Sequence, residues 1–226
     1  MENGKNYFLK ITAVISIVIG TLAIYFMLVF WPAPKASVNV INQSNKSLES
    51  VTGAKIGGDF CLIDTDNNEF TSEKLKGKPY LVYFGFTFCP DVCPVTLEKI
   101  SKVMKILDTY HIDISAVFIT VDPKRDDYLA LKSYMTNFNP ANSGSKIIAL
   151  TGAKDQIKDV IEKFKIYAVI SPLSDSKSDD YLIDHTTFVY LMDKNGKYVK
   201  HFTLNDSVKD IVEYIRVNMK SGQHIG

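Results

Sequence analysis

Between residues 80 and 107 the chain changes its hydrophobic period, and it does so across a pair of cysteines. Residues 80–86 are an apolar run, short, aromatic and β-branched, behind Gly77-Lys78-Pro79. Such a run reads as a strand buried on both faces. Leu97, Ile100, Met104 and Leu107 then fall at i, i+3, i+7 and i+10. That spacing predicts a helix over residues 94–110 with one apolar face. Cys89 and Cys93 sit at the handover, in Phe88-Cys89-Pro90-Asp91-Val92-Cys93-Pro94. The first turn of a helix leaves N–H groups unpaired and carries partial positive charge, so it favours thiolate over thiol. Pro94 suits that turn because its missing N–H costs little there.

The rest of the chain repeats the alternation. Residues 60–64 and 69–71 read as a hairpin through Thr65-Asp66-Asn67-Asn68, followed by a helical turn over 71–75. Residues 114–121 are apolar but for Ser115 and Thr120, as in a strand covered on both sides. A helix over 127–138, a strand over 147–150 and a helix over 153–164 come next, the last with Ile157, Val160, Ile161 and Phe164 on one face. The Asp- and Ser-rich residues 171–180 form an exposed loop. A second hairpin joins 187–192 to 197–203 through Asp193-Lys194-Asn195-Gly196, and a helix over 207–219 turns Val208, Ile211, Val212 and Ile215 inward. The expected fold is an α/β three-layer sandwich. A strand, a cysteine, and a second cysteine one helical turn on is the thioredoxin-like arrangement. Thioredoxins use C-x-x-C, however, and C-x-x-x-C argues against a standard disulfide oxidoreductase.

A chain of 226 residues has room for one such domain and something more. Residues 11–31 carry no charge, and at 1.5 Å each they cover the roughly 30 Å of a bilayer core. Lys5 and Lys10 precede them, which keeps residues 1–10 in the cytoplasm and exports the chain beyond Trp31. The apolar stretch is long for a cleaved signal peptide, and no clear A-x-A site comes after it. Residues 32–54 read as a polar tether, 55–220 as the globular domain and 221–226 as a tail. Arg125 and Arg216 are the only arginines, so an Arg-rich mitochondrial presequence is absent and a bacterial inner membrane, domain on the periplasmic side, is expected. A net charge of +1 without a basic stripe gives no sign of nucleic-acid binding. Three cysteines are too few for a disulfide scaffold.

Taken alone, the cysteine pair admits three readings: small buried residues, a redox couple, or soft metal ligands. If the residues between them are helical, the Cα atoms lie about 6 Å apart, within reach of a disulfide. Of the four histidines, His111, His201 and His224 read as solvated or structural. His185 lies between the Ser/Asp loop and a strand, a junction that can project toward the strand ends where α/β sheets place ligands. Two thiolates and an imidazole suit a soft, low-coordinate ion. Copper fits them better than zinc, for which no fourth ligand stands out. Asp184 and Asp180 read as surface turn residues, with orienting the imidazole as the alternative role. Cys61 reads as a small buried residue, with a reactive third thiol as the alternative.

The strings Thr87-Phe88-Cys89-Pro90-Asp91-Val92-Cys93-Pro94, Val121-Asp122-Pro123-Lys124-Arg125-Asp126 and Asp184-His185-Thr186 together resemble the Sco/SenC family. Its members are membrane-anchored, thioredoxin-like copper proteins of cytochrome c oxidase assembly, and the likeness runs over residues 57–219. The resemblance implies that Cys89, Cys93 and His185 bind copper, as Cu(I) or Cu(II), and that the partner is the copper-bearing subunit of the oxidase. It places Asp91, Asp122 and Arg125 at family positions near the site. The expectation is a metallochaperone rather than an enzyme. The alternative is a thiol–disulfide oxidoreductase that uses Cys89 and Cys93 to keep that subunit's cysteines reduced.

Overall fold

The computed structural model describes residue 26 and residues 55–139, 146–172 and 180–219. The anchor expected over 11–31 (Phe26 excepted, which is helical), the tether over 32–54 and the tail over 221–226 lie outside them. Among the described residues no helix is long and apolar enough to cross a membrane.

The domain opens with a hairpin, β1 (Cys61–Asp64) and β2 (Glu69–Thr71), and a 3-10 turn at Ser72–Leu75. The Asp64 carboxylate ties the hairpin loop by accepting the N–H groups of Asp66 and Asn68, while Asn67 takes the left-handed conformation. Next come β3 (Tyr80–Gly85), α1 (Val92–Thr109), β4 (Ser115–Thr120), α2 (Tyr128–Met135), β5 (Ile147–Thr151) and α3 (Lys154–Phe164). The chain continues through β6 (Ala168–Ile170), β7 (Ile183–His185), β8 (Val189–Met192), β9 (Tyr198–Phe202) and α4 (Val208–Met219).

Seven strands form one sheet in the order β2-β1-β5-β4-β3-β8-β9. β3, β4 and β5 run parallel at its centre, β1 and β8 pair antiparallel to them, and β2 and β9 pair antiparallel to β1 and β8 in turn. All six residues of β3 are buried, as the unbroken apolar run requires. Their side chains alternate between two cores. Leu81 and Tyr83 point to the side of α1, α2 and α4, where Leu97, Leu107, Leu131 and Ile215 pack. Tyr80, Val82 and Phe84 point to the side of α3, where Ile157, Val160 and Phe164 pack. The result is the three-layer sandwich expected from the sequence.

Two boundaries differ from expectation for local reasons. α1 begins at Val92 rather than Pro94, so Pro94 lies inside the first turn, where a missing N–H is still harmless. α2 ends at Met135 rather than 138. Asn139 grips Ile147 beyond it, donating to its carbonyl and accepting from its N–H, both at 2.8 Å, and this draws the chain away into β5. Ser171, expected in an exposed loop, is buried, and residues 173–179 of that loop lie outside the described residues. The sequence reading contained no counterpart of β6 and β7. They form a separate antiparallel ribbon, and it carries His185.

Candidate metal centre

The cysteine turn is held at both ends. At its start, the Thr87 N–H and hydroxyl donate to the Asp126 carboxylate at 3.0 and 2.5 Å, and the Thr120 hydroxyl donates to the same group at 2.6 Å. Asp126 is fully buried, and burial pushes its carboxyl above the usual range against the pull of those donors. At its far end the turn enters α1, with Cys93 in the first turn and buried, and Cys89 half-buried ahead of the helix. The helical spacing assumed for the pair therefore holds only for its second member. β3 and α1 meet closely here: a Cβ added to Gly85 would lie 2.6 Å from Cys93 Sγ and 2.9 Å from the Phe118 ring.

His185 is the last residue of β7 and the register partner of Ala168 on β6. Alternation along a strand sends neighbours to opposite faces, so His185 and Ile183 share one face while Asp184 is left exposed on the other. The ribbon is tied at this end by Thr186, whose N–H donates to the Tyr167 carbonyl at 2.9 Å and whose Oγ1 accepts the Tyr167 N–H at 3.0 Å. Its other end is tied by Tyr181. The Tyr181 hydroxyl donates to buried Asp122 at 2.7 Å, and Arg125 Nε pairs with the same carboxylate. The Arg125 guanidinium stacks 3.7 Å from the centre of the Tyr181 ring and 4.6 Å from that of Phe88. Asp122 and Arg125 thus act as a clamp between the ribbon and the cysteine turn.

The imidazole is oriented by a backbone carbonyl rather than by Asp184 or Asp180, both of which are exposed. Its Nδ1 lies 2.9 Å from the Thr186 carbonyl oxygen. A carbonyl only accepts, so Nδ1 carries a proton in either charge state of the ring. Nε2 is left to face the sulfurs, as an N–H toward a thiolate or, once that proton is gone, as a lone pair for a metal.

Cys89 Sγ, Cys93 Sγ and one His185 nitrogen lie within 4.8 Å of one another, the only such three-residue group among the described residues. Nε2 is 3.4 Å from Cys93 Sγ, the Cys93 N–H points at Cys89 Sγ from 3.5 Å, and the Tyr83 hydroxyl donates to Cys93 Sγ at 3.5 Å. The two thiols diverge in acidity. Cys89 is lowered to about 4, chiefly by the hydrogen bond from the Cys93 thiol, then by His185 and by the N–H groups of Cys93 and Asp91, against an opposing burial effect. Cys93 is pushed up, because it gives that hydrogen bond to a thiolate and because it is buried. One thiolate and one thiol therefore share a proton in a pocket closed on its inner side by Tyr83 and Phe86, whose rings meet the imidazole edge-on. A soft cation that takes the place of that proton gains two sulfurs and a nitrogen. Asp91 contributes its backbone amide, its side chain being exposed.

The remaining candidates lie elsewhere. Cys61 is neither buried nor primed: its thiol donates to Glu69 at 2.6 Å, and that carboxylate raises its pKa. His111 sits in a left-handed turn. His201 stacks on Phe188 and meets the Tyr198 hydroxyl at 2.7 Å, and burial lowers its pKa. His224 lies outside the described residues. The parts that sequence reasoning missed are Tyr83, Tyr181 and the Thr186 carbonyl. Only the short β-branched run around Val169 and Ile170 and the apolar Tyr181-Leu182-Ile183 hinted at the ribbon behind the last two.

The SCO1/SenC family model matches residues 49–220. An SCO2-like protein of Rickettsia conorii is 46% identical over 209 residues, 92% of this chain and 96% of its own length. Among solved structures, yeast Sco1 with copper bound is 38% identical with a TM-score of 0.68, covering 76% of this chain and 92% of that one. Bradyrhizobium japonicum ScoI with copper bound is 37% identical with a TM-score of 0.63, covering 72% and 98%. The fold is the thioredoxin-like α/β fold.

Proposed function

This chain belongs to the SCO1/SenC family, and we propose that it is a copper metallochaperone whose Cys89, Cys93 and His185 together hold one copper ion destined for cytochrome c oxidase. The observation that carries the reading is the convergence of two sulfurs and one imidazole nitrogen within 4.8 Å. The donor set suits the cargo: thiolates favour Cu(I), and imidazole serves both copper oxidation states. Cys89 and His185 are only half-buried. An acceptor's ligand can therefore approach the ion and exchange for one of them, as delivery requires. The acceptor in this reading is the copper-bearing subunit of the oxidase. Residues 11–31 anchor the chain in a bacterial inner membrane and hold the domain on the periplasmic side.

Competition of the reduced chain against a Cu(I) chelator tests this. We expect one copper per chain, with affinity falling at least tenfold in Cys89→Ala and in His185→Ala. Full stoichiometry and unchanged affinity in either variant would defeat the proposal.

One observation favours a second chemistry in the same pair. A thiolate at Cys89 beside a protonated Cys93 is the arrangement of a dithiol poised for exchange. Loss of two electrons and the one proton the pair holds would join the two sulfurs, and a partner disulfide that takes up those electrons, that proton and one more from solvent is reduced to two thiols. A thiol–disulfide exchange assay without metal separates the readings. Turnover that survives His185→Ala but not Cys89→Ala belongs to an oxidoreductase.

A further inference from the structure

Among the described residues, the ribbon that carries His185 has one edge with no strand beside it, and that edge lines a groove. Antiparallel pairs alternate between hydrogen-bonded and non-hydrogen-bonded positions. The Ser171 N–H meets the Leu182 carbonyl, and the Thr186 N–H meets the Tyr167 carbonyl. Residues 167, 169 and 171 therefore turn their backbone polar groups toward β7. Ala168 and Ile170, one step out of phase, turn theirs away from it. Among the described residues no strand pairs with them on that side. An edge of this kind is a template for a further strand.

Ala168, Val169 and Ile170 line a groove of about 630 Å³ between the ribbon, the chain just after β4 and the first turns of α3. Its apolar lining includes Val121, Ile157, Ile161 and Ile183. Its charged lining residues are Lys124, Lys154, Lys158 and Asp122. Arg125 and Tyr181 already occupy the Asp122 carboxylate, which leaves the groove positive. Lys158 meets Glu162 only at 3.9 Å with both side chains largely in water, a pairing that competes weakly with another carboxylate. Along the strip beside the groove, Val169 and Ile170 remain 40% and 46% exposed.

We propose that this groove docks an extended segment of a partner protein, one that alternates apolar side chains with carboxylates and adds as a third strand along β6. The outward N–H and carbonyl groups of Ala168 and Ile170 hold its main chain, the apolar lining takes its hydrophobic side chains, and Lys154 and Lys158 face its carboxylates. This surface is separate from the sulfur–imidazole cluster and stands whether or not that cluster holds copper. The two are one strand apart, since Ala168 is the register partner of His185. A strand docked on β6 therefore stiffens the ribbon that carries the imidazole.

The probes are two synthetic peptides of about eight residues, one alternating valine with glutamate and the other valine with lysine, added to the metal-free full-length chain in detergent. Anisotropy reads binding, and hydrogen exchange reads its place. The glutamate peptide is expected to bind, to slow amide exchange over residues 168–170, and to lose at least tenfold in affinity when Lys154→Glu and Lys158→Glu are combined. Both lysines are exposed, so circular dichroism of that variant is expected to match the parent. A glutamate peptide N-methylated on the amides that would face β6 is expected not to bind, a check that needs no variant. Equal binding of the two peptides, indifference to the charge reversal, or protection elsewhere in the chain would overturn the proposal. So would no binding at millimolar peptide. If residues 168 and 170 are then already protected in the free chain, the chain itself fills the groove.

Discussion

Gly85 sets how closely sulfur can approach the sheet. Any side chain there pushes into Cys93 Sγ and the Phe118 ring, neither of which has a free direction to retreat, since both residues are fully buried. Gly85→Ala is expected to cost about 1–3 kcal/mol of stability, the usual penalty of overpacking. It should also weaken copper binding beyond what the loss of stability explains, because the atom displaced is one of the three proposed ligands. Thermal denaturation beside a chelator titration checks both. Cys89 gives a second test at this scale. A free thiol becomes a thiolate near its ordinary value of 9.0, whereas the hydrogen bonds to this one lower it to about 4. Alkylation of the reduced, metal-free chain should therefore proceed at Cys89 at a nearly constant rate from pH 6 to 8, and slow only as acid returns the proton near pH 4. A rate that climbs about tenfold per pH unit through neutrality would mean an ordinary thiol. Cys93, protonated throughout that range, should stay unmodified.

The element that decides the site is the ribbon of β6 and β7, and it was the least legible in the sequence. The central strands, α1, α3 and α4 announced themselves through their apolar periods, and the two hairpins through Asn and Gly in their turns. β6 and β7 have three residues each, separated by a long polar connection, too short for a period to register. His185 was accordingly placed at a junction before a strand, when it ends one. Alternation then explains why the neighbouring Asp184, the obvious partner by proximity in sequence, faces solvent while the Thr186 carbonyl orients the ring. Asp122 and Arg125 were legible as motif residues, but their task emerges only with Tyr181 in place. Tyr181→Phe removes a hydrogen bond to a buried carboxylate, worth about 1.5–3 kcal/mol. Its loss falls on the ribbon rather than on the core. We expect faster amide exchange over 183–185 and weaker copper binding, with β3 and β4 protected as before. Equal protection of the ribbon in the variant would show that the clamp is not what holds it.

At the scale of the whole molecule, a parallel three-strand centre covered on both faces supplies a rigid rim on which two independent pieces of chain, residues 89–93 and 185, are brought together across the sheet. The α3 layer shares in that rigidity: Phe164, fully buried, packs against Phe84 and Tyr190 at centroid distances of 5.3 and 6.1 Å. Phe164→Ala should destabilise the domain by about 3–5 kcal/mol while leaving the copper ligands unchanged, a separation of stability from binding that denaturant melts and copper titration can read together. The central claim, that one ion is shared by Cys89, Cys93 and His185, is tested most directly by X-ray absorption of the Cu(I)-loaded chain. The account predicts two sulfur scatterers and one imidazole nitrogen, with the imidazole signal gone in His185→Ala. An imidazole contribution that persists in that variant, or a copper shell with fewer than two sulfurs in the parent, would contradict it.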